Sequence, residues 1–352
     1  VLVYDLGGGT FDVTIMEVNN GMFDVLATDG NRNLGGFDFD NRIAEYVFEQ
    51  IKEQGINRDV RMDDLLVAEI REKAEIAKKS LTTVAQTTIM LTVDGKNIRI
   101  KMTRDEFESR TEDLLNTTKE LVEDAMENAG KSWSDINHLL LVGGSTRMPM
   151  VKKMMASLSG KNPELNVNPD EAVALGAAIQ AYISVNEVSG IEEQGNGNGN
   201  GVPMVIGGEQ ITINVSDVTS QALGVILLND NEQDENYVVI PKNAKIPTKG
   251  NQRAKTIVDQ QTAILVRVTQ GEDREARYVT IIGSKEIPIP PYPKGAPFTV
   301  SYAYDIDQTV YVELFDDTKG TVVGKFEIDR LMNLDEEEVK NAMQRIEQMD
   351  IQ

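Results

Sequence analysis

The spacing of apolar residues changes once along the chain, and this change divides the sequence into two parts. In the first part, residues 1–4, 11–18 and 23–28 have strand-like patterns joined by glycine or Asn-Gly turns, which predicts an antiparallel meander. Apolar residues then recur at helical spacing up to Gly55, and again up to Leu81. The meander is therefore expected to precede two amphipathic helices.

The next segments of the first part predict a hairpin, a helix and a buried strand. Residues 87–93 and 98–102 flank Asp-Gly, a strong hairpin turn signal. A capping box beginning at Thr103 predicts a long helix running towards Asn128. Residues 138–142 are almost continuously apolar, which is typical of a strand buried on both faces.

A helix start and a linker end the first part. Residues 168–171, Asn-Pro-Asp-Glu, place a cap, a proline and two carboxylates at the start of a helix rich in alanine. Between residues 189 and 208 the composition changes, and residues 195–201 alternate glycine and asparagine. Such a segment has no apolar surface to bury and loses much backbone entropy on ordering, so it is expected to be a linker.

The second part has strand patterns until its last 20 or so residues. Prolines cluster between residues 288 and 297, which predicts a loop or a sheet edge because proline cannot donate to a ladder. From Asp335 the pattern becomes helical again. The second part is expected to be an all-β sandwich followed by a helix start. Its clearest strand patterns are residues 264–268, 278–282, 299–304 and 310–315.

Composition and charge exclude several classes of function. The 352 residues include 35 Lys and Arg against 57 Asp and Glu, a formal net charge of −22, which disfavours general binding to nucleic acid or to a membrane surface. There is no cysteine and one histidine, His138, so disulfides, thiolate metal sites and cysteine catalysis are excluded. With no membrane-length apolar run and no signal peptide pattern, a cytoplasmic protein is expected.

The first glycine-rich turn is a candidate phosphate site. Three glycines at 7–9 let backbone N–H groups converge on an anion, and Thr10 adds a hydroxyl donor. Asp5 and Asp12 flank the turn, where they suit water-mediated contacts to a magnesium ion beside a phosphate. The alternative is a tight hairpin with solvated carboxylates.

A second glycine turn follows the buried strand. Gly143 and Gly144 connect this strand to a helix start, so backbone there could approach a flat or phosphorylated ligand, and Arg147 could stack on a base or pair with a phosphate. Neither turn is a Walker loop, and neither has the spaced glycines of a Rossmann fingerprint.

The two turns resemble the second phosphate motif and the adenosine motif of the actin, sugar kinase and heat-shock chaperone ATPase superfamily. The wider match narrows the resemblance to the seventy-kilodalton heat-shock protein (heat shock protein 70) chaperone family. It is carried by DLGGGTFDVTI, LGGFDFDNRI, EIAKKSL, LLLVGGSTRMP and NPDEAVALGAAIQA, and after the linker by SDVTSQALGV, KNAKIPTKGNQ, DQQTAILVRVTQGE, IPPYPKGAPFTVSYAYDID and GKFEI.

The resemblance implies an α/β plus all-β fold in four segments. Residues 1–186 would form the second lobe of an actin-like (ribonuclease H-like) ATPase domain, and residues 187–216 a flexible Gly/Asn-rich linker. Residues 217–330 would form a β-sandwich peptide-binding domain, and residues 331–352 the start of a helical lid. The implied function is a stress-response chaperone that binds unfolded or extended apolar peptides, regulated by ATP.

The family's nucleotide site carries over residue by residue. Asp5 matches the carboxylate near the attacking water and metal, and Asp12 a second carboxylate near the metal. Lys79 stands where the family has arginine, which loses a planar stacking group. The alternative for Glu75, Lys78 and Lys79 is a solvated helix face on which they form i,i+3 and i,i+4 charge pairs. The matched nucleotide-binding positions are Gly7, Gly8, Gly9, Thr10, Glu75, Lys78, Lys79, Thr82, Gly143, Gly144, Ser145, Arg147 and Asp170.

The family's peptide cleft also carries over, with an extended peptide held by backbone hydrogen bonds and one apolar pocket. Ile264 would line the central pocket. Ala254 stands where the family has a large apolar residue and Ile257 where it has a small one, so a different pocket shape is expected. The alternative is ordinary sandwich core. The matched cleft positions are Val225, Leu227, Leu228, Ile257, Ile264 and Val266.

Three departures from the family pattern shape the expected activity. Val1 lies inside a strand pattern, and the family's first phosphate turn and catalytic lysine do not occur, so these 352 residues alone are expected to hydrolyse ATP poorly or not at all. The linker is rich in Gly and Asn instead of Leu, which puts coupling between the two sites in doubt. The lid helix pattern stops at Gln352, so poor retention of a peptide is expected.

The resemblance implies ATP or ADP and Mg²⁺ as cofactors. It implies unfolded or extended polypeptides, a J-domain co-chaperone and a nucleotide exchange factor as partners. An alternative is a non-enzymatic peptide-binding or scaffolding module with a degenerate nucleotide-binding lobe. A third possibility, an actin-like or sugar-kinase ATPase, is disfavoured by the all-β second part.

Overall fold

A computed structural model describes most of the chain, which divides into two compact units, Val1–Ser216 and Asp217–Gln352. The described residues are 1–164, 168, 171–188, 202–206, 209–229, 231–305 and 309–328.

The first unit contains a mixed six-stranded sheet and a separate two-stranded hairpin. The sheet has the order β6-β1-β2-β3-β8-β7, and β4 pairs with β5. The meander, the hairpin and the buried strand predicted from the sequence are all present. The strands are β1 Leu2–Leu6, β2 Phe11–Asn19, β3 Met22–Asn31, β4 Gln86–Val93, β5 Lys96–Thr103, β6 Leu139–Val142, β7 Val202–Ile206 and β8 Glu209–Ser216.

The long helix expected from Thr103 is divided in two at Thr111. Thr111 is fully buried, and its hydroxyl donates to the carbonyl of Phe107 at 2.8 Å. A threonine that bonds back to the preceding turn competes with the helical ladder, which accounts for the break. The helices are α1 Gly36–Glu53, α2 Asp64–Leu81, α3 Arg104–Arg110, α4 Glu112–Asn128, α5 Pro149–Ser159 and α6 Ala172–Val188.

The core of the first unit joins the sheet to the helices. Tyr4 and Phe11 are fully buried, with ring centroids 4.7 Å apart. The Tyr4 hydroxyl donates to Thr118 Oγ1 on α4 at 2.8 Å. Since an unpartnered buried hydroxyl would be costly, this bond fixes α4 against the centre of the sheet. The start of β2, and with it the glycine turn before it, is therefore rigidly placed.

Part of the segment expected to be a flexible linker is sheet instead. β8 pairs in parallel with β3 over three residues, Asn214–Ser216 against Met22–Asp24, and β7 pairs with β8. Ile213 is buried beside Ile183 and Phe23. The alternation of residues 211–215 is a strand pattern, and burial of its apolar face explains why it forms a strand. The Gly/Asn run lies outside the described residues.

The second unit contains two antiparallel four-stranded sheets, as an all-β sandwich requires. Their orders are β10-β9-β12-β13 and β11-β14-β15-β16. The strands are β9 Leu223–Leu228, β10 Asp234–Ile240, β11 Thr248–Lys255, β12 Gln261–Gln270, β13 Thr280–Tyr292, β14 Pro297–Tyr304, β15 Val310–Asp316 and β16 Thr321–Ile328.

Both sheets contribute to one apolar core. Val225 and Val268 from the first sheet and Val300 and Val312 from the second are almost completely buried in a single cluster. Tyr302 crosses this core, and its hydroxyl donates to the carbonyl of Gly224 at 2.8 Å. The proline-rich segment enters β13, an edge strand, which agrees with the expectation of a loop or an edge.

Several expectations fall on residues that the structure does not describe, among them the lid helix at 331–352 and Asp170. In the parts that it does describe, no helix is long and apolar enough to cross a membrane.

Candidate functional site

The first glycine turn, residues 7–9 between β1 and β2, is held by hydrogen bonds from the start of α1. The amide of Gly36 donates to the carbonyl of Gly7 at 2.9 Å, and the amide of Phe37 donates to the carbonyl of Gly8 at 2.8 Å. The turn is closed by a bond from the Gly7 amide to the Thr10 carbonyl at 3.0 Å. Two N–H groups that lack an intrahelical partner are thus used to orient the turn.

This orientation leaves the turn's own amides directed away from α1. In a trans peptide the C=O and N–H groups point in opposite directions, so the N–H groups of Gly8 and Gly9 point away from the helix that holds the carbonyls. Both glycines are exposed, and neither amide bonds to backbone within the described ranges. Consecutive outward N–H groups of this kind form an anion-binding concavity.

The second glycine turn lies directly against the first. The hydroxyl of Ser145 donates to the carbonyl of Gly7 at 2.9 Å, a bond between residues 138 positions apart. Gly143 has φ +82° and ψ 143°, and a Cβ there would lie 2.4 Å from the carbonyl oxygen of Leu6. Only glycine adopts this conformation readily and permits this approach. The structure therefore brings together the two turns that the sequence singled out.

Two further glycines belong to this site, and the prediction from sequence did not include them. A Cβ on Gly35 would lie 2.4 Å from the amide nitrogen of Gly9, and one on Gly36 would lie 2.5 Å from Ser145 Oγ. Either would push the turns apart. A Gly-Gly pair immediately before a helical pattern was the available signal, because such a pair allows close backbone approach.

Asp5 and Asp12 are directly opposite each other in the β1–β2 ladder. Burial raises the pKa of Asp5, and the neighbouring charge of Asp12 raises it further. Desolvation also raises the pKa of Asp12, against the effects of the Thr10 hydroxyl and Arg32. Two neighbouring carboxylates of like charge beside the outward amides favour the binding of a cation.

Helix α2 contributes one residue to the interior of the site. Lys78 Nζ donates to the carbonyl of Gly36 at 2.7 Å and to Asp40 Oδ2 at 2.8 Å. The side chains of Lys78 and Asp40 are only 10% and 12% exposed, and Asp40 Oδ1 is buried without a hydrogen-bond partner. Burial raises the pKa of Asp40, while Lys78 lowers it. Lys78 thus holds Gly36, which in turn contacts both glycine turns.

The other matched residues of α2 lie on its surface. Glu75 and Lys79 form an exposed i,i+4 pair at 2.7 Å, and the Thr82 hydroxyl donates to the carbonyl of Lys79 at 2.6 Å. The charges of Glu75 and Lys79 both act on Asp40, so this pair lies near the contact between Lys78 and Asp40. This arrangement is a solvated helix face, open to contact with a ligand.

The residues after Gly143 form a single 3₁₀ turn, Gly144–Arg147. Within it the Thr146 hydroxyl donates to the carbonyl of Gly143 at 2.7 Å, and Arg147 is exposed at the end of the turn. Arg147 and the first glycine turn are therefore linked through only two residues, Thr146 and Ser145. Asp170, the remaining matched position, is outside the described residues.

The donors of this site fit a phosphorylated ligand with Mg²⁺. Amide N–H groups, a threonine hydroxyl and an arginine suit phosphate oxygens. No cluster of three or more acidic, histidine or cysteine residues that could hold a metal occurs in the described ranges. A pair of carboxylates without a third ligand suits Mg²⁺, which keeps several waters and completes its shell with substrate phosphates.

Two of the six matched cleft residues in the second unit lie in the sandwich core. Val225 is 0% exposed and Val266 is 1% exposed. Both side chains point between the sheets, where they pack with the cluster that includes Phe298. They are therefore part of the core of the second unit in this structure.

The other four cleft positions remain accessible. Leu227, Leu228 and Ile264 are partly buried, and Ile257 is 45% exposed. Ala254 is partly buried against the core at the end of β11. The accessible apolar surface is formed by two residues at the end of β9, by Ile264 of β12 and by Ile257 in the loop after β11.

Asp5→Asn is expected to stabilise the first unit at neutral pH. The folded pKa of Asp5 is raised, so its ionised form is disfavoured by folding, and the resulting cost is fully present above the folded pKa. The cost is lost as the pH falls below the unfolded value, about 4. With allowance for solvent screening, we expect a gain below about 1 kcal/mol, or about 2–4 °C in Tm.

Thermal unfolding at pH 7 and pH 4 measures this effect. Asp135→Asn is a suitable control, since hydrogen bonds from Ser132 lower the pKa of Asp135 and the change should destabilise the unit at pH 7. The gain from Asp5→Asn should shrink towards pH 4. A gain of the same size at both pH values would show that ionisation of Asp5 is not its cause.

Comparison with known proteins finds one family and many relatives. The family described as Hsp70 protein matches residues 1–352. Chaperone protein DnaK of Metamycoplasma hominis is 36% identical over 355 residues, which cover 99% of this chain and 55% of the relative. DnaK of Thermotoga maritima is 38% identical, covering 98% and 55%, and DnaK of Thermosipho africanus is 40% identical, covering 90% and 50%. The chain spans about half the length of these relatives.

Proposed function

Because the chain belongs to the Hsp70 family, we propose that it acts as a chaperone, with a nucleotide site in the first unit and a peptide site in the second. The observation that carries the first half is the bond from Ser145 to the carbonyl of Gly7, which joins two glycine turns into one concavity. The relatives are named as chaperone proteins, which supports the second half.

The nucleotide would be ATP or ADP with Mg²⁺. Its phosphates would lie on the outward amides of Gly8 and Gly9 beside the Thr10 hydroxyl, and the adenosine part would lie between Arg147 and the exposed Glu75–Lys79 pair. Asp5 and Asp12 would hold the waters of the magnesium ion, which would neutralise the phosphate charge. In this role Lys78 orients Gly36 and so the first turn.

The peptide would be extended and apolar. Its side chains would contact Leu227, Leu228, Ile257 and Ile264, the accessible members of the cleft set. Their accessible area is modest, so backbone hydrogen bonds would supply much of the affinity, as in other strand-like recognition.

Thr10→Val is expected to weaken binding of ADP with Mg²⁺ about 10- to 100-fold. The substitution keeps the shape but removes the donor to a charged phosphate, an interaction of about 1.5–3 kcal/mol. Calorimetric titration measures it. Thr117→Val on the exposed side of α4 is the matched control and should leave the affinity unchanged. If the unsubstituted chain neither binds the nucleotide nor gains thermal stability from it, the nucleotide half of the proposal fails.

Ile264→Asp is expected to lower the affinity for an apolar heptapeptide about 10- to 100-fold, because burial of such a side chain contributes about 1.5–3 kcal/mol. Fluorescence anisotropy with a labelled peptide measures it. Leu265→Asp is the control, since Leu265 is 54% exposed and points to the other face of β12. Ile257→Ser tests the same site without disturbing the core. Equal binding of apolar and acidic peptides would contradict the chaperone proposal.

A further inference from the structure

The second unit has an exposed strand edge with an unusual charge. Strand β11 lies at the end of its sheet, and among the described residues it pairs only with β14. On the inward face β10 lies against β11, since a Cβ on Gly250 would be 2.1 Å from the carbonyl oxygen of Val239. The edge opposite β14 has no strand partner in the ladder, which is the template that strand addition uses.

One face of β11 carries a row of cations. Residues Thr248–Lys255 alternate between partly buried and exposed, and the exposed positions are Lys249, Asn251, Arg253 and Lys255. Side chains two residues apart on one face are about 6.8 Å apart along a strand. Three of four consecutive positions on this face are thus positively charged, in a chain whose net charge is −22. We call these four residues the basic edge.

Neighbouring strands do not neutralise the basic edge. The residues of β14 opposite these positions are Ala303, Ser301, Thr299 and Pro297, none of which is charged. On β15, Glu313 forms an ion pair with Lys325 of β16 at 2.5 Å. Asp317 accepts a hydrogen bond from the Thr299 hydroxyl.

In the described parts of the chain, no ion pair includes Lys249, Arg253 or Lys255. Their charges are therefore available to a partner.

We propose that the basic edge binds an extended acidic segment of a partner protein, which adds to the sheet as a strand beside β11. Carboxylates at every second position of such a strand would lie directly across from the cations, at cross-strand distance. The unpaired backbone groups of β11 would supply the hydrogen bonds. The ligand of this surface has the opposite chemistry to that of the apolar cleft, of which Ile257 lies in the loop after β11.

Two physical arguments favour an acidic strand over other occupants. A second copy of β11 would place lysine and arginine against lysine and arginine, so the charges that invite an acidic strand exclude self-association. A polyphosphate or nucleic acid would satisfy the charges but not the backbone groups, and it would be repelled by the acidic remainder of the chain. The acidic strand satisfies both sets of groups.

A labelled eight-residue peptide of alternating glutamate and threonine tests the proposal by fluorescence anisotropy with the full chain. The double variant Lys249→Glu, Arg253→Glu should weaken binding at least about tenfold. The control is Arg277→Glu, Lys294→Glu, which makes the same change in net charge at exposed positions outside β11. It should change affinity less than about twofold. An excess of apolar heptapeptide should not compete.

Three outcomes would overturn the proposal. The first is equal weakening by both double variants, which would indicate a general charge effect. The second is unchanged binding of a peptide methylated on alternate amide nitrogens, since such a peptide cannot complete a ladder. The third is equally tight binding of an oligothymidylate of the same charge, which would identify a polyanion site. Failure of the apolar heptapeptide to bind would bear on the proposed function alone.

Discussion

Lys78→Met is expected to destabilise the first unit by about 3–5 kcal/mol, the usual effect of removing one partner from a buried ion pair. Asp40 would remain buried and charged with neither carboxylate oxygen paired, since its Oδ1 already has no partner. The carbonyl of Gly36 would lose its donor as well. Because Gly36 holds the first glycine turn, nucleotide binding should weaken in the same variant.

Fluorescence of the single tryptophan, Trp133, measures this effect, because Trp133 packs against the core of the first unit. Urea unfolding followed in this way reports on that unit. Lys79→Met is the matched control: the neighbouring lysine forms an exposed pair with Glu75, so we expect a loss below about 0.5 kcal/mol.

Two further results would identify the unpaired charge as the cause. The double variant Asp40→Leu, Lys78→Met should be more stable than Lys78→Met, since no buried charge remains. The deficit of Lys78→Met should also shrink as the pH falls. The pKa of Asp40 is raised by burial, so the cost falls progressively as the pH drops from the folded pKa towards the unfolded value, about 4. A loss of less than about 1 kcal/mol in Lys78→Met would contradict the assignment of a buried support.

Gly143→Ala is expected to remove nucleotide binding and to destabilise the first unit by about 2–5 kcal/mol. The new Cβ would lie 2.4 Å from the Leu6 carbonyl oxygen and 2.6 Å from Asp5 Oδ1. Backbone cannot yield as a flexible side chain can, so β6 and β1 would have to separate. The concavity depends on that contact, and the thermal stabilisation by ADP with Mg²⁺ should disappear.

Gly160→Ala distinguishes this close approach from simple backbone strain. Gly160 also has positive φ, +66°, at the end of α5, but a Cβ there would meet nothing within 4 Å. We expect a loss of about 1–2 kcal/mol for this left-handed position and no effect on nucleotide binding. If both alanine variants were equally stable, the contact between the two turns would not be the source of the effect.

Local pattern was sufficient to predict most of the elements. The meander, the β4–β5 hairpin, the buried strand β6 and the helices α1 and α2 each have a complete signal within a few residues, such as Asp94-Gly95. The break at Thr111 lacks such a signal, because it depends on burial of the hydroxyl against other elements. β8 was missed for a related reason: its alternation is clear, but its partner is β3, about 190 residues earlier.

The two glycine turns of the candidate site could be predicted from the sequence, but the buried contacts that hold them could not. Glycine runs at 7–9 and 143–144 are visible in the sequence, and their meeting follows from the parallel pairing of β1 with β6. The direction of Lys78 could not be predicted, since the same i,i+4 pattern fits an exposed lysine such as Lys79. In the second unit, strand spacing alone could not distinguish the buried Val225 from the accessible Leu227, because both face the same side of β9.

The long reach of the Ser145 bond also sets the order in which the molecule can be completed during synthesis. β1 finds β2 within a few residues, but its other edge must wait for β6, and the Gly7 carbonyl waits for a hydroxyl 138 positions later. At 5–20 residues per second, roughly 7–28 s separate the two on the ribosome. During that interval the half-made sheet exposes the β1 edge, so the nascent protein would itself benefit from a chaperone.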